Sequence, residues 1–593
     1  MYQSYEVSSS PELGPARLQE LRAKIAQSGL NGFLVPHSDR YQGEYLAPCD
    51  ERLAWLTGFT GSAGFCIVLE QAAGVFTDSR YFEQVRAQIR APFVAVDWPD
   101  TTGPDWIAGQ LTQGVIGFDP WLHSAAEIAQ YRKVLSEHGI ALQPCDNLID
   151  AVWVDQPPAP QRPARAYGVE WAGRTHQDKC RDIAKTLQRS QQSAAIITLT
   201  DSISWLLNIR GDDVIHNPIV QAYAILHDTG VVDVFTDPSK LAQLSDHLGP
   251  DVRVHPQSDI LNHLGRLSGR ILVDRSSVPQ AIVDQLTQAG VDIIMGQDPV
   301  ILPKSIKNPT ELAAARDTHL RDAGYMCEFL AWLDEQDPDQ ITEIDVAKHL
   351  EHIRRQDDQL VDISFDTISA SGPHAALPHY RVTHDTNQTL INNSVMLIDS
   401  GGQYRDGTTD ITRTVAVGSP APDIAAAFTR VLQGMIAISR LRFPKSVTGR
   451  DIDAFARAAL WAAGQDYGHG TGHGVGHHLC VHEGPQGISR RADTVFQPGM
   501  IVSNEPGYYK SGSFGIRTEN LIVVRDCDPE FPGFYEFETL TYVPIDRRLI
   551  VSDMLSPSER AWINGYHQTC RDIIEPRIND ETRLWLQRAT EPL

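Results

Sequence analysis

The stretch Val395–Thr414, VMLIDSGGQYRDGTTDITRT, decides the fold of the C-terminal part of the chain. An apolar strand ends in the acid Asp399, a connection rich in glycine and turn residues follows, and a returning strand begins at Asp410. A hairpin of this kind places both acids at adjoining strand positions. The sequence therefore predicts a pair of carboxylates at one end of a two-stranded unit.

A second hairpin with two acids lies further along the chain. The strand IVSNEP ends at Glu505, a loop rich in glycine and serine covers 508–515, and IRTENLIVV carries Glu519 back. Four carboxylates in one core would repel each other, and removing them from water would cost many kcal/mol. Because two divalent cations balance four negative charges, this pattern favours a two-metal site over a one-metal site.

A solvated surface role is the alternative for each acid alone, because acids at strand ends and turns usually face water. The Asp399–Asp410 stretch could also be read as a calcium loop, but it lacks the ladder of alternating ligands that such a loop requires.

A stretch rich in histidine and glycine, HGTGHGVGHHLCVH, lies between the two hairpins, from His469 to His482. Glycine permits close backbone approach and positive φ, which suits a tight loop packed against a metal. A low-complexity metal-binding tract is the alternative interpretation. One imidazole added to four carboxylates makes an oxygen-rich site, which suits Mn²⁺ best, with Co²⁺, Fe²⁺ and Zn²⁺ as alternatives.

The N-terminal half alternates helix and strand patterns, which predicts an α/β architecture. A proline-rich linker, Gln156–Pro163, divides it, since proline fixes φ and lacks an amide donor. The segment after the linker weakly repeats the pattern of the segment before it, so we predict a duplicated domain, with chance similarity as the alternative. The predicted strands are Gly32–Val35, Phe65–Leu69, Val115–Phe118, Ala194–Leu199, Ala222–Leu226 and Arg270–Asp274, and an earlier helix places Leu18, Leu21 and Ile25 on one face.

Two capping signatures mark helices of the C-terminal part. Asn308 and Glu311 have the spacing of a capping box, which predicts a long helix from there to about Gln336. Ser556 and Glu559 repeat the pattern near the end of the chain. The helix that follows is predicted to bury an apolar stripe made of Trp562, Ile563, Tyr566 and Ile573.

Composition limits the partners. The 593 residues include 51 Lys and Arg and 75 Asp and Glu, a net charge of −24, which argues against nucleic acid and anionic membranes. No apolar run approaches the ~20 residues of a spanning helix. The start MYQSYEVSSSPELG lacks signal-peptide features, so we expect a cytoplasmic protein. Eight cysteines without a CxxC pair indicate reduced thiols and exclude a cysteine-based zinc site. P-loop, GxGxxG, GxSxG and HExxH motifs are absent.

Five motifs, in this order and spacing, resemble those of the pita-bread metallopeptidases, and among them of the long, three-domain aminopeptidases P (Xaa-Pro aminopeptidases): SGPHAALPHY, LIDSGGQYRDGTTDITRT, HGTGHGVGHHLCVHEGP, SNEPGYY and IRTEN. The segments YQGEYLAPCDERLAWLTGFTGSAG and WLLNIRGDDVIHNP resemble the first and second domains of that family. FETLTYVPID and the helix after it are similar to its C-terminal extension.

The resemblance implies a combined α/β and α+β fold, with two creatinase-N-like α/β domains followed by a C-terminal pita-bread catalytic domain. The implied segments are 1–156 for the first domain, 157–306 for the second, 307–547 for the catalytic domain and 548–593 for its helical extension.

The resemblance also assigns roles to residues. The implied ligands of two divalent ions are Asp399, Asp410, His473, Glu505 and Glu519. Asp410 and Glu519 would bridge both ions. The implied catalytic residues are His379, His469, His482 and Glu505, and the residues expected to orient the ligands are Arg517 and Tyr509.

The implied reaction is hydrolysis of the bond between an N-terminal residue and a penultimate proline, by a hydroxide that bridges two metals. Glu505 would shuttle the proton, His482 would donate to the developing oxyanion, and His379 and His469 would position the peptide. The substrates would be peptides with proline at the second position, and the enzyme would be a homodimer.

Four alternatives stay open: a prolidase limited to dipeptides, a general aminopeptidase, a metal-free creatine-type hydrolase and a peptide-binding module of the same fold. The chain also departs from the family pattern at four positions. His477 and His478 follow GVG where a small and an aromatic residue are usual, and Cys480 and His374 each stand where asparagine is usual. These departures concern the shape of the substrate pocket and leave the ligand set unchanged.

Overall fold

The computed structural model describes every residue from Met1 to Leu593. The chain forms two compact units. The N-terminal unit comprises Ser8–Val169 and Arg174–Ile301, and the C-terminal unit comprises Met1–Val7, Glu170–Gly173 and Leu302–Leu593. None of the helices combines the length and apolar composition needed to cross a membrane.

The N-terminal unit contains two six-stranded mixed sheets with the same plan. In spatial order, the first sheet consists of Phe93–Asp97, Ala73–Thr77, Phe65–Leu69, Gly32–Pro36, Gly114–Phe118 and Ile140–Pro144. The second consists of Val252–Pro256, Val232–Thr236, Tyr223–His227, Ala194–Ile197, Arg270–Val273 and Asp292–Met295. Parallel and antiparallel pairs occur at corresponding places in both sheets. The predicted duplication is therefore confirmed.

The predicted strands of this unit are also confirmed, with ends that differ from the prediction by at most two residues. The largest shift is at the strand predicted to reach Leu199, which ends at Ile197 because the helix Thr200–Leu206 begins there. The stretch 156–163 is neither helix nor strand, as expected of its prolines. The main helices are Gly14–Gln27, Arg52–Thr57, Phe82–Gln88, Gly103–Gln110, Ala125–Ser136, His176–Arg189, Thr200–Leu206, Ile260–Leu264 and Gln280–Gln288. Leu18, Leu21 and Ile25 are all buried on the first of these helices.

The C-terminal unit surrounds its sheets with the helices Pro309–Asp334, Glu343–Arg354, Pro422–Ser439, Gly449–Trp461, Pro557–Ile574 and Asp580–Ala589. Its six-stranded sheet consists, in spatial order, of Arg442–Pro444, Phe534–Thr539, Asn520–Asp526, Ile501–Asn504, Gly472–Gly474 and Glu483–Ile488. One three-stranded sheet consists of Ile368–Ser371, Ser394–Ser400 and Ile411–Val417, and a second of Leu360–Ile363, Gly402–Tyr404 and Gly407–Thr408. The pair Gly507–Lys510 and Phe514–Arg517 forms a separate two-stranded sheet.

Both predicted capping boxes are present. The long helix ends at Asp334, close to the predicted end. The buried stripe of the helix near the C-terminus consists of Ile563, Tyr566, His567, Cys570 and Ile574. Trp562 and Ile573, also predicted for this stripe, are half-buried and pack against core clusters, whereas Ile574 is fully buried because it lies four residues after Cys570 on the same helical face.

Two nested hairpins bring the predicted acids to the ends of strands. We call the pair Ser394–Ser400 and Ile411–Val417 the Asp hairpin, and the pair Ile501–Asn504 and Asn520–Asp526 the Glu hairpin. In both, the connection predicted to be a turn or loop forms a smaller hairpin of its own. Tyr404 and Phe514 are buried in these smaller hairpins, and this burial stabilises strand pairing that local turn residues did not indicate.

The register of the Asp hairpin differs from the prediction. Asp399 pairs with Thr412, and Asp410 lies just before the returning strand. In the Glu hairpin, Glu505 and Glu519 lie immediately outside the outermost strand pair. Three of the four acids therefore lie just outside the paired strands, and Asp399 is the one inside a ladder.

Candidate metal centre

His473 lies on the short strand Gly472–Gly474. A Cβ added to Gly472 would lie 1.9 Å from the Ser503 carbonyl oxygen, and one added to Gly474 would lie 2.3 Å from the Glu483 carbonyl oxygen. Neither glycine has a positive φ, so close backbone approach is the reason for glycine here. The predicted tight loop is wrong for these three residues, because they pair with strands on both sides.

The His473 ring presents one nitrogen to the acids. Its Nδ1 lies 2.9 Å from the Gly474 carbonyl oxygen, which can only accept, so Nδ1 donates and Nε2 faces the site. Nε2 lies 3.5 Å from Asp410 Oδ2 and 3.6 Å from Glu505 Oε1. Ligand atoms of Asp410, His473 and Glu519 all lie within 4.8 Å of one another, close enough to share a metal ion.

Asp399 joins this group through Arg517, which is buried. Arg517 Nη2 donates to Asp399 Oδ2 at 2.6 Å, and Nη1 donates to the Tyr509 hydroxyl at 2.7 Å. Its Nε lies 4.0 Å from Glu505 Oε2. The guanidinium thus faces two of the acids, orients them and offsets part of their charge.

Thr412 is a residue of the site that the sequence analysis did not identify. Its hydroxyl donates to Glu519 Oε2 at 2.8 Å and accepts from Arg517 Nε at 3.1 Å. Thr412 therefore connects Glu519 to the guanidinium that holds Asp399. The register of the Asp hairpin is the signal that could have found it, because Thr412 lies directly opposite Asp399.

Burial raises the pKa of three acids in the site. Desolvation raises the pKa of Asp399 in spite of the neighbouring Arg517, and it raises the pKa of Glu519 well above its ordinary value. Desolvation, opposed by the charges of His473 and Arg517, raises the pKa of Glu505 to about 7. Each pKa is raised because an ionised carboxylate loses its favourable hydration when it is buried, and the negative charges of the nearby acids raise the pKa further.

The acids have the opposite effect on His473. Burial alone would lower its pKa, but the hydrogen bond to Asp410 and the charge of Glu505 raise the pKa of His473 to about 9. The same negative field attracts any cation, so a proton and a divalent ion compete for Nε2 of this ring.

The donor set fits divalent cations. Asp399 Oδ1 and Glu519 Oε1 are buried and have no hydrogen-bond donor, which is costly for a carboxylate oxygen unless a cation meets it. Carboxylate oxygens and one imidazole make a hard, oxygen-rich set of the kind that suits Mn²⁺ and its neighbours in the first transition row.

Of the other predicted histidines, His469 and His482 lie at the two ends of the histidine-rich stretch, and His379 lies on a separate segment. Tyr509 Oη lies 2.9 Å from His469 Nε2, while His469 Nδ1 lies 2.7 Å from the Gly470 carbonyl oxygen. A chain of hydrogen bonds therefore runs from Arg517 through Tyr509 to His469. The His482 and His473 rings meet edge to face, with their centroids 4.4 Å apart.

His379 lies on the turn after the short helix Gly372–Ala376. A Cβ added to Gly515 would lie 1.7 Å from the Ala375 carbonyl oxygen, so this helix packs directly on the strand Phe514–Arg517. Among the residues that depart from the family pattern, His477 and His478 are buried and Cys480 is half-buried. The two histidines are therefore part of the interior.

Arg413 links the site to the C-terminal helices. It is fully buried, and its Nη1 donates to the Glu519 carbonyl oxygen at 2.5 Å. Its Nη2 donates to Asn520 Oδ1 at 2.8 Å and to the Tyr566 hydroxyl at 3.1 Å. The helix Pro557–Ile574 thus supports the backbone of Glu519, a role that the apolar stripe alone did not indicate.

Comparison with known proteins gives family matches along almost the whole chain. Residues 313–526 match metallopeptidase family M24, and 533–593 match the C-terminal region of that peptidase family. Residues 17–152 and 155–311 each match a creatinase/prolidase N-terminal domain. The predicted fold class, two creatinase-like domains followed by a pita-bread domain, is confirmed.

Relatives match over nearly the full length. The chain is 38% identical to a probable Xaa-Pro aminopeptidase P of Ajellomyces dermatitidis, across 97% of this chain and 99% of that protein. It is 36% identical to aminopeptidase P2 of Arabidopsis thaliana, across 97% and 88%.

A crystal structure of the Caenorhabditis elegans X-prolyl aminopeptidase, described as a cytosolic enzyme with a di-nuclear active site, matches with a TM-score of 0.93. It is 32% identical and the match covers 98% of this chain and 100% of that one. The chain therefore belongs to the Xaa-Pro aminopeptidase P family of M24 metallopeptidases, and the prediction of a hydrolase is confirmed.

Proposed function

We propose that the protein releases the N-terminal residue from peptides whose second residue is proline. The observation that carries this proposal is the meeting of Asp410, His473 and Glu519 within 4.8 Å, from segments distant in sequence. Full-length relatives named as Xaa-Pro aminopeptidases support the choice of substrate. The X-Pro bond is a tertiary amide without an N–H, so an enzyme for it must bind groups other than that donor.

The residues proposed to hold two divalent ions, with Mn²⁺ as the first choice, are Asp399, Asp410, His473, Glu505 and Glu519. When bound, such a pair supplies a shared water of lowered pKa and polarises the scissile carbonyl. The two buried acceptor oxygens of Asp399 and Glu519 support this ligand set. We also propose that Asp410 and Glu519 are the bridging ligands.

Glu505 is proposed to move the proton from the attacking water to the proline nitrogen that leaves. Its position supports this role, because Glu505 Oε1 lies 3.6 Å from Nε2 of His473 at the centre of the site, where a carboxylate can take a proton and return it. His482, whose ring packs against the ligand His473, is proposed to donate a hydrogen bond to the oxyanion.

His379 and His469 are proposed to hold the peptide beyond the scissile bond. For His469, support comes from the fixed direction of its ring, which Tyr509 and the Gly470 carbonyl group hold from both sides. Arg517 and Tyr509 are proposed to orient the ligands, and the 2.6 Å hydrogen bond to Asp399 supports this role for Arg517.

The domain limits, the location in the cell and the oligomeric state are part of the same proposal. We keep the segments 1–156, 157–306, 307–547 and 548–593; the family matches that end at 152 and 311 support the first two boundaries, whereas the C-terminal match begins at 533, before the proposed 548. Met1–Val7, however, pack with the C-terminal unit, where Tyr5 joins a cluster with Ala375 and Tyr380. A cytoplasmic homodimer without nucleic-acid or membrane partners is proposed from the family resemblance, the acidic charge and the cytosolic Caenorhabditis elegans relative.

The test of substrate class uses the purified full chain loaded with Mn²⁺. We expect release of arginine from a peptide beginning Arg-Pro-Pro, and no release when alanine replaces the first proline. Equal release from both peptides would indicate a general aminopeptidase, and cleavage of Arg-Pro only would indicate a prolidase. Repeating the assay after chelation and reloading with Mn²⁺, Co²⁺, Zn²⁺ or Fe²⁺ identifies the preferred metal.

The test of the metal centre uses Asp410→Asn, which keeps the shape of the side chain and removes its charge. We expect metal affinity and activity to fall by at least about 100-fold. The matched control is Asp423→Asn, an exposed acid on a surface ion pair with Lys510. An Asp410→Asn enzyme with wild-type metal content would disprove the proposed centre.

A further inference from the structure

A buried carboxylate lies behind the segment that carries His379. Glu343 is fully buried at the start of the helix Glu343–Arg354. Its Oε1 accepts a hydrogen bond from the Ser371 backbone N–H at 2.7 Å, where the segment SGPHAALPHY begins. The carboxylate therefore faces this segment, and the hydrogen bond from the Ser371 backbone holds it there.

Two side chains of the same segment meet this carboxylate. His374 Nδ1 lies 2.9 Å from Glu343 Oε1 and 3.0 Å from Oε2, and since both oxygens accept, Nδ1 carries the hydrogen. The Tyr380 hydroxyl donates to Oε2 at 3.1 Å. The His374 and Tyr380 rings also stack, with centroids 4.4 Å apart and planes 26° apart. We call Glu343, His374 and Tyr380 the Glu343 clamp.

The opposite side of the segment SGPHAALPHY packs against the strand Phe514–Arg517, which pairs with Gly507–Lys510. The Ala375 carbonyl oxygen occupies the space in which a Gly515 side chain would begin, and Gly515 pairs with Tyr509. The segment is thus fixed between the Glu343 clamp and the hairpin that carries Tyr509 and Arg517. His379 directly precedes Tyr380, so the position of the Tyr380 ring limits where His379 can lie.

We propose that His374 and Glu343 are positioning residues that hold His379 where it contacts the peptide beyond the scissile bond. This inference rests on the proposed function. The family resemblance gives asparagine where this chain has His374, and an asparagine can donate to Glu343 but offers no aromatic face to Tyr380. In this chain the imidazole adds ring stacking to the hydrogen bond, which restricts the turn that bears His379.

The experiment compares steady-state kinetics on an Arg-Pro-Pro peptide with the Mn²⁺-loaded full chain. We expect His374→Ala to raise KM about tenfold while kcat changes by no more than about twofold, because the peptide loses its fixed contact but the ligands do not move. His374→Asn should recover most of the loss through its hydrogen bond. Glu343→Gln should resemble His374→Ala, with metal content and thermal midpoint recorded for every variant.

A double variant separates positioning from a general structural effect. If His374 acts through His379, then His374→Ala combined with His379→Ala should have the KM of His379→Ala alone. The matched control is His384→Ala, an exposed histidine downstream of the segment, for which KM should not change.

Each other result overturns the inference. One such result is that the KM effects of His374→Ala and His379→Ala add up in the double variant, and another is that His374→Ala leaves KM unchanged. A third is that His374→Ala loses bound metal and activity to the same extent. Each of these results would assign the Glu343 clamp to folding alone. A wild-type enzyme that cleaves no Xaa-Pro peptide would instead overturn the proposed function, and this inference with it.

Discussion

His567 shows how one buried side chain links stability to pH. It is fully buried, and its Nε2 accepts a hydrogen bond from the Ile545 backbone N–H at 3.1 Å. Burial, together with the charges of Arg547 and Arg413, lowers the pKa of His567 to about 3. In the unfolded chain this pKa returns to about 6.5. Below that pH the unfolded state binds a proton that the folded state excludes, so stability falls as the pH falls.

The replacement His567→Gln tests this effect, because glutamine can accept the same hydrogen bond but does not titrate. We expect His567 to cost the wild-type fold about 2 kcal/mol at pH 5 relative to pH 7. The thermal midpoint of the wild type should therefore drop more between these pH values than that of His567→Gln. The control His138→Gln, at an exposed position, should follow the wild type. Equal drops in all three proteins would contradict the assignment.

At the scale of elements, the strand Gly472–Gly474 places His473 beside the strand Ile501–Asn504, which leads into Glu505. It forms ladders with Glu483–Ile488 on one side and Ile501–Asn504 on the other. The backbone contact at Gly472 is close enough to exclude even a methyl group. Any side chain there must displace the strand that carries His473, because the atom in its way, the Ser503 carbonyl oxygen, is backbone and cannot rotate aside.

The replacement Gly472→Ala should therefore destabilise the C-terminal unit by more than about 2 kcal/mol and reduce metal content. Differential scanning calorimetry and metal analysis of the purified variant measure both effects. Gly565→Ala serves as the matched control, since that glycine lies inside the helix Pro557–Ile574 with open space around it. It should be neutral or stabilising by up to about 1 kcal/mol. A Gly472→Ala protein as stable as this control would refute the argument.

At the scale of the whole molecule, the proposed metal centre connects segments that span much of the C-terminal unit. Its proposed ligands lie on or just beside the Asp hairpin, the Glu hairpin and the strand Gly472–Gly474, and Arg413 joins Glu519 to Tyr566 on the helix Pro557–Ile574. A cation that binds all of these segments only when they are folded favours the folded state by mass action.

Chelation should accordingly lower the thermal midpoint of the C-terminal unit, and Mn²⁺ should restore it. At free Mn²⁺ about 100 times its dissociation constant, the gain should be about 2.7 kcal/mol. Scanning fluorimetry with and without chelator measures the shift. Asp410→Asn should show little shift, and a wild-type response in that variant would mean that Mn²⁺ stabilises the protein elsewhere.

The sequence by itself determined the duplicated N-terminal domains, the two capped helices and the two pairs of strand-end acids. These features follow from local rules, since strand periodicity, capping spacing and turn residues act over a few neighbouring positions. The family motifs then predicted which acids and histidines belong to one centre.

The tertiary structure decided what surrounds those residues. Thr412 joins the site through strand register, Arg413 reaches the last helices, and Glu343 meets His374 across 31 positions of sequence. It also turned two predicted connections into hairpins and His473 from a loop residue into a strand residue. These outcomes depend on burial and pairing between distant segments, and local propensity carries no information about such contacts.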